Sequence, residues 1–210
     1  MELAQYIDHT VLKPQATTED IRRLCQEAAE NQFAAVCVNP CYVELAAHLL
    51  EGTKVKVATV IGFPLGANLT SVKVFEVQAA AKAEELDMVI SIGAAKQGLW
   101  DVVTEDIRQV VAAAQGRTVK VIVESGALTE EEKKKACEAV LASGAHYIKT
   151  STGFGPGGAT VEDIRLFKEM VGDTIGIKAS GGIRTRADAE AMIAAGATRL
   201  GTSAGVEIVK

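Results

Sequence analysis

Residues 143–153, SGAHYIKTSTG, and residues 195–205, AGATRLGTSAG, run in step 52 positions apart. Each passes from a glycine that can end a helix (Gly144, Gly196), through a short strand-like run, to a glycine-bearing turn. The same pattern recurs along the chain. Strands are expected at 6–12 (YIDHTVL), 34–38 (AAVCV), 55–61 (VKVATVI), 87–92 (DMVISI), 119–124 (VKVIVE), 146–150 (HYIKT), 175–179 (IGIKA) and 198–202 (TRLGT). Amphipathic stretches lie between them, such as 18–32 with Ile21, Leu24, Ala28 and Ala29 on one face, and 99–115 with Trp100, Val103, Ile107, Val110 and Val111. Thr17, Thr129, Thr160 and Thr185 each stand three residues before an acid (Asp20, Glu132, Asp163, Asp188), the spacing of a capping box at a helix start. Gly52, Gly116, Gly144, Gly172 and Gly196 fall where a helix must turn toward the next strand. Strands alternating with helices pair in parallel through right-handed crossovers, and about eight such units favour a closed (β/α)8 TIM barrel over an open doubly wound sheet. No linker divides residues 1–210, so one domain is expected.

The composition, 48% hydrophobic and 23% charged, suits a single packed core. A net charge of −5 and the lack of a basic cluster beyond KKK at 133–135 argue against nucleic acid or a membrane surface as partner. The N-terminus, MELAQYIDHT, has neither a basic nor a long apolar region, so a cytoplasmic location is expected. Cys25, Cys37, Cys41 and Cys137 show no paired spacing; disulfides and a zinc site are not expected. His9, His48 and His146 have no metal-ligand spacing and read as structural residues.

In a barrel of this kind the reactive groups collect at the C-terminal ends of the strands, and phosphate is often held by the last two strand-to-helix loops. Those loops are SGGIRT (180–185) and GTSAGVE (201–207), rich in backbone N–H groups, with Ser180 and Ser203 as hydroxyl donors. In the internal echo Gly201 takes the place of Lys149, removing a side chain where a ligand can approach. Alternate residues of a barrel strand face the interior, so Lys149 in YIKT and Lys178 in GIKA point inward from neighbouring strands. Two close ammonium groups, partly desolvated, disfavour protonation, and a free amine attacks aldehydes. Asp87 at the head of ELDMVI is a carboxylate for the same cavity, able to hold one lysine cationic and to shuttle protons. Asp8 can extend the polar network, and Thr152 can place a hydroxyl near an imine or a substrate oxygen.

The ordered motifs IDHTVLKP (7–14), AAVCVNP (34–40), VATVIGFPLG (57–66), ELDMVISIG (85–93), YIKTSTGF (147–154), IKASGGIRT (177–185) and LGTSAG (200–205) resemble the deoxyribose-phosphate aldolases over nearly the whole chain. The resemblance implies a class I aldolase that cleaves 2-deoxy-D-ribose 5-phosphate reversibly to acetaldehyde and D-glyceraldehyde 3-phosphate, without metal or organic cofactor. It places the Schiff-base lysine on Lys149, the second active-site lysine on Lys178 and the proton-transferring aspartate on Asp87. It carries phosphate contacts to Gly153, Gly181, Gly182, Gly201 and Ser203, with the backbone of Ile183 and Arg184 nearby, and puts Cys37 on the cavity, open to alkylation by unsaturated aldehydes. Some relatives end in a tyrosine-bearing tail; the last tyrosine here is Tyr147, so proton transfer is expected to fall to water, Lys178 or Asp87. Association into a dimer or tetramer is also expected. The competing readings are another sugar-phosphate barrel enzyme, such as an isomerase, an epimerase or a transaldolase, and a phosphosugar-binding regulator without catalysis.

Overall fold

A computed structural model describes residues 3–210 of the protein. Eight parallel strands close into a barrel in sequence order: β1 (Ile7–Val11), β2 (Ala35–Val38), β3 (Lys56–Ile61), β4 (Glu85–Val89), β5 (Thr118–Ile122), β6 (Tyr147–Lys149), β7 (Gly176–Ser180) and β8 (Arg199–Thr202). The helices outside it are α1 (Thr18–Asn31), α2 (Val43–Leu49), α3 (Thr70–Ala79), α4 (Ile92–Lys96), α5 (Trp100–Ala114), α6 (Glu130–Ser143), α7 (Val161–Val171), α8 (Arg186–Ala195) and α9 (Gly205–Val209). The expected (β/α)8 architecture is the observed one.

Local chemistry accounts for the helix ends. Thr17, Thr129 and Thr185 form reciprocal capping boxes with Asp20, Glu132 and Asp188, each satisfying two otherwise unpaired backbone donors. Thr160 caps α7 with its hydroxyl alone. The left-handed residue closing α6 is Gly144 as expected, whereas α1 and α5 close on Gln32 and Gln115, with φ of +54° and +53°. At α5 the expected glycine, Gly116, stands one residue beyond.

Two sequence expectations shift. The fourth strand runs over Glu85–Val89 rather than 87–92, so Asp87 sits at its centre and not at its start. The strand can begin at Glu85 because its carboxylate is buried against cations, while the apolar run continues beyond it as the buried Ile90 and the partly buried Ile92 that opens α4. The fifth strand likewise begins at Thr118 and ends at Ile122.

Alternation sorts each strand into two faces. Val36, Leu86, Val119, Ile148, Ile177 and Leu200 join the core beneath the helices. The barrel interior divides into two halves. One is apolar and built of small residues: Leu12, Ala35, Cys37, Ala58 and Val60, with Phe63 against them. The other is ionic, and holds Asp8, Glu85, Asp87, Lys120, Lys149, Lys178 and Arg199. Among the described residues no helix is long and apolar enough to cross a membrane. On the outer surface, Leu65, Leu69, Val72 and Phe75 in and before α3 are exposed, as are Leu99 and Val102 at the start of α5.

Candidate active site

Lys149, the last residue of β6, and Lys178, at the centre of β7, are register partners. Both Nζ atoms lie 2.7 Å from one oxygen, Asp87 Oδ2. Lys120 Nζ donates to the other oxygen, Oδ1, at 2.9 Å. Asp8 accepts from Lys178 through Oδ2 and from Arg199 through Oδ1 at 2.7 Å. Glu85 completes the floor, 2.6 Å from Lys120 and 3.0 Å from Arg199. The sequence reading joined Asp8, Asp87, Lys149 and Lys178 correctly but missed Glu85, Lys120 and Arg199. Their signal was present: each stands in the inward parity of its strand, Glu85 two residues before Asp87 and Arg199 two before Gly201.

These contacts set the protonation states. Burial works against the charge of Lys149 most strongly and the neighbouring Lys178 adds to it; together they outweigh the pull of Asp87 and hold the amine below the ordinary lysine range. Desolvation therefore leads, and the second lysine follows. Burial also opposes a charge on Lys178, yet Asp8 and Asp87 overcome it and raise that pKa. Lys120 is raised in the same way by Asp87, Asp8 and Glu85. Asp87, despite burial, is held well below the carboxylate range by Lys120, Lys149 and Lys178.

Above the ionic layer opens a cavity of about 660 Å³. Of the interior ionisable groups among the described residues only Lys149 forms part of its wall; Asp8, Asp87 and Lys178 lie beneath. Thr152, Gly153, Gly181, Gly182, Ile183, Arg184, Gly201 and Ser203 all line it. Three residues of the wall differ in detail from expectation. Ser180 is on the wall, but its hydroxyl donates to Ser151 O at 2.6 Å and is already engaged. The Arg184 backbone N–H donates to Asp188 Oδ2 at 3.0 Å, which leaves its side chain as the part that can meet a ligand. The gap at Gly201 serves Lys178 as well as the cavity, since a Cβ there would lie 3.1 Å from Lys178 Cε.

Thr152 is anchored by a residue the sequence gave no reason to notice. Glu124 follows β5 in a left-handed conformation, φ +53°, which costs a side-chain-bearing residue energy and is found where surroundings enforce it. Its buried carboxylate accepts from the Thr152 hydroxyl and backbone N–H. The Thr152 hydroxyl gives its proton to Glu124 and accepts the Phe154 backbone N–H at 3.0 Å, so it has no proton left to donate to a ligand. Cys37 is fully buried in the apolar half and does not reach the cavity wall, and burial pushes its thiol up to about 11. His9 pairs with Glu27 at 2.7 Å, and His146 Nδ1 accepts the Val119 N–H, both outside the cavity. No group of three or more His, Cys, Asp or Glu suited to a metal occurs among the described residues.

A glycine-lined mouth over a floor of interior charges, at the C-terminal end of a (β/α)8 barrel, is where enzymes of this fold carry their chemistry. Residues 2–210 match the DeoC/LacD family aldolase, and the chain belongs to that family. It is 59% identical to a deoxyribose-phosphate aldolase of Desulfitobacterium hafniense, over all of this chain and 98% of the relative. Against the deoxyribose-phosphate aldolase of Staphylococcus carnosus the figures are 56%, all of this chain and 96%. Among solved structures, the aldolase QR15 superposes with a TM-score of 0.95 at 45% identity, covering 99% of this chain and 94% of that one. The tetrameric deoxyribose phosphate aldolase of Aeropyrum pernix superposes with 0.93 at 34% identity, covering 99% and 89%.

Proposed function

We propose that the protein is a deoxyribose-phosphate aldolase, cleaving 2-deoxy-D-ribose 5-phosphate to acetaldehyde and D-glyceraldehyde 3-phosphate through a Schiff base on Lys149. The observation that carries this reading is that, among the described residues, Lys149 alone of the buried ionisable groups meets the cavity, and it is the interior lysine held below the ordinary lysine range while Lys120 and Lys178 are raised. Its free amine adds to the C1 aldehyde, and loss of water gives an iminium that draws electrons from the C2–C3 bond. As that bond breaks, the C3 hydroxyl gives up its proton and D-glyceraldehyde 3-phosphate departs. The enamine left on Lys149 takes a proton at C2, and hydrolysis releases acetaldehyde.

Asp87 is the group best placed to move protons, since its Oδ2 touches both Lys149 and Lys178. Asp8 holds Lys178 as a cation. Gly181, Gly182, Ile183, Gly201 and Ser203 suit the phosphate, with Gly153 and Arg184 on the same wall, and binding this remote group orients the aldehyde at the amine. The Thr202 hydroxyl donates to Ile183 O at 2.7 Å and braces the two phosphate loops together. Residues 1–210 act as one catalytic domain in the cytoplasm, a setting in accord with free thiols at Cys25, Cys37, Cys41 and Cys137. A second copy of the chain covers the apolar face of α3 and α5, and Phe75→Glu, at a residue 67% exposed, is expected to lower the sedimenting mass.

The deciding experiment is borohydride reduction in the presence of acetaldehyde, followed by peptide mass mapping. An adduct on Lys149 that disappears in Lys149→Met, with the fold retained, is the expected result; no adduct at that residue sinks the mechanism.

A further inference from the structure

The amine chemistry needs one neutral lysine in an interior crowded with charge, and the groups beneath the cavity decide which one it is. Every strand contributes. Asp8 faces inward from β1, Cys37 from β2, Lys56 from β3, Glu85 and Asp87 from β4, Lys120 from β5, Tyr147 and Lys149 from β6, Lys178 from β7 and Arg199 from β8. Lys56 reaches Glu85 at 3.3 Å from a half-exposed position at the far end, in contact with solvent. Tyr147 offers its ring face to Arg199, 5.7 Å from the centroid, and the buried Cys37 thiol stays neutral.

Among the described residues, what remains is three enclosed lysines (Lys120, Lys149, Lys178) and the largely buried Arg199, four cations facing three carboxylates (Asp8, Glu85, Asp87). Lys120, Lys178 and Arg199 each touch at least two of the carboxylates. Lys149 touches one, through an oxygen that Lys178 also uses. An uncompensated charge in a closed interior is costly, and a proton leaves from the group with the fewest partners. Lysine can lose its proton under such pressure; a guanidinium does not.

We propose that Arg199 is a positioning residue for the lysine chemistry: as the one interior cation unable to titrate, bridging Asp8 and Glu85, it leaves the interior one positive charge in excess and so makes Lys149 the neutral amine. The fork geometry suits the task, with Nη1 reaching Asp8 at 2.7 Å and Glu85 at 3.0 Å, and Nη2 reaching the second Glu85 oxygen at 3.4 Å. Gly176 beside it makes room for Tyr147, since a Cβ there would lie 2.2 Å from the Tyr147 ring on which Arg199 rests.

The proposal rests on Lys149 as the Schiff-base residue, so its test begins with the acetaldehyde adduct on the unmodified protein. Absence of that adduct defeats the functional reading itself. With the adduct present, the rate of cyanoborohydride-trapped adduct formation is followed from about pH 5 to about pH 10. Arg199→Met leaves three cations on three carboxylates. Arg199 lies two strands from Lys149, about 10 Å at about 4.8 Å per strand, so the acid limb is expected to move alkaline by about one pH unit. Arg199→Lys, which keeps the charge, brings most of the limb back. The double variant Arg199→Met/Glu85→Gln, with three cations on two carboxylates, restores the excess and returns the limb to its original place even if Arg199→Met alone does not fold. A rate lowered by the same factor at every pH, or a limb that stays alkaline in the double variant, would overturn the role of Arg199 while leaving Lys149 in place.

Discussion

Replacing Lys178 by methionine removes the cation nearest the reactive amine while keeping a side chain of similar length. The Lys149 and Lys178 nitrogens each lie 2.7 Å from Asp87 Oδ2, so they cannot be more than about 5.4 Å apart. Two unit charges at about 5 Å interact by about 3 kcal/mol at an effective dielectric of about 20, equivalent to about two pH units. Without Lys178 the Asp87 carboxylate is shared by Lys120 and Lys149 alone, which favours the ammonium form of Lys149 further. The sign is fixed: a raised Lys149 pKa leaves less free amine at neutral pH. Adduct formation with acetaldehyde in Lys178→Met should therefore fall about 100-fold near pH 7 and recover as pH rises. The assay is the pH dependence of the trapped adduct, read beside a far-ultraviolet spectrum that verifies the barrel. Burial, the leading cause of the lowered Lys149 pKa, persists in the variant and continues to oppose the ammonium form. An acid limb that stays put, with activity reduced equally at all pH values, would refute the electrostatic role of Lys178.

Other substitutions probe separate parts of the structure. Gly201→Ala would set a Cβ 3.0 Å from Ser180 Cβ and 3.1 Å from Lys178 Cε; a loss of about 1–3 kcal/mol in urea unfolding and a larger fall in kcat than in phosphate affinity are expected. Iodoacetamide at about pH 8 should modify the exposed Cys41 and leave the enclosed Cys37 intact, as read by peptide mass mapping; equal labelling of both would contradict the burial of Cys37. Lys73→Met should destabilise the barrel by about 3–5 kcal/mol by stranding Asp106, whose Oδ2 lies 2.6 Å from a fully enclosed Lys73 Nζ. Adding Asp106→Leu should restore most of that stability in the same unfolding assay, because the unpaired charge is then gone.

The fold was legible because its signals are local. Capping threonines with acids three residues on mark four helix starts, and β-branched runs between glycines mark the strands. Inward parity likewise exposed Lys149 and Lys178. It failed at Lys120 because Val-Lys-Val reads as a half-solvated strand in any sheet, and only closure of the barrel makes that lysine interior. Glu85 was hidden by its neighbour: Glu84-Glu85 looks like the end of a helix, although only the second acid is buried. Glu124 carried no signal, since its importance lies in a backbone conformation and in a threonine 28 residues further on. The partition of protons among the lysines is also a property of distances between strands, which no single segment encodes.

The glycines of the GFGPGG segment after β6 (153–158), and Gly126 packed against it from the turn after β5, have a consequence for how this cavity can be altered. A Cβ at Gly126 would lie 1.8 Å from Pro156 O, and one at Gly158 would lie 2.4 Å from Gly181 O. The mouth is thus moored by main chain pressed against main chain. Of the wall side chains, Phe154 adds an edge-on contact to Phe63 and Leu12 belongs to the apolar cluster, whereas Thr10 lies outside that mooring and can be exchanged to reshape the mouth while the loop keeps its course. A methyl group added at Gly126 or Gly158 would instead lift the loop as a unit, carrying Thr152 away from Glu124 and changing the access of every aldehyde at once.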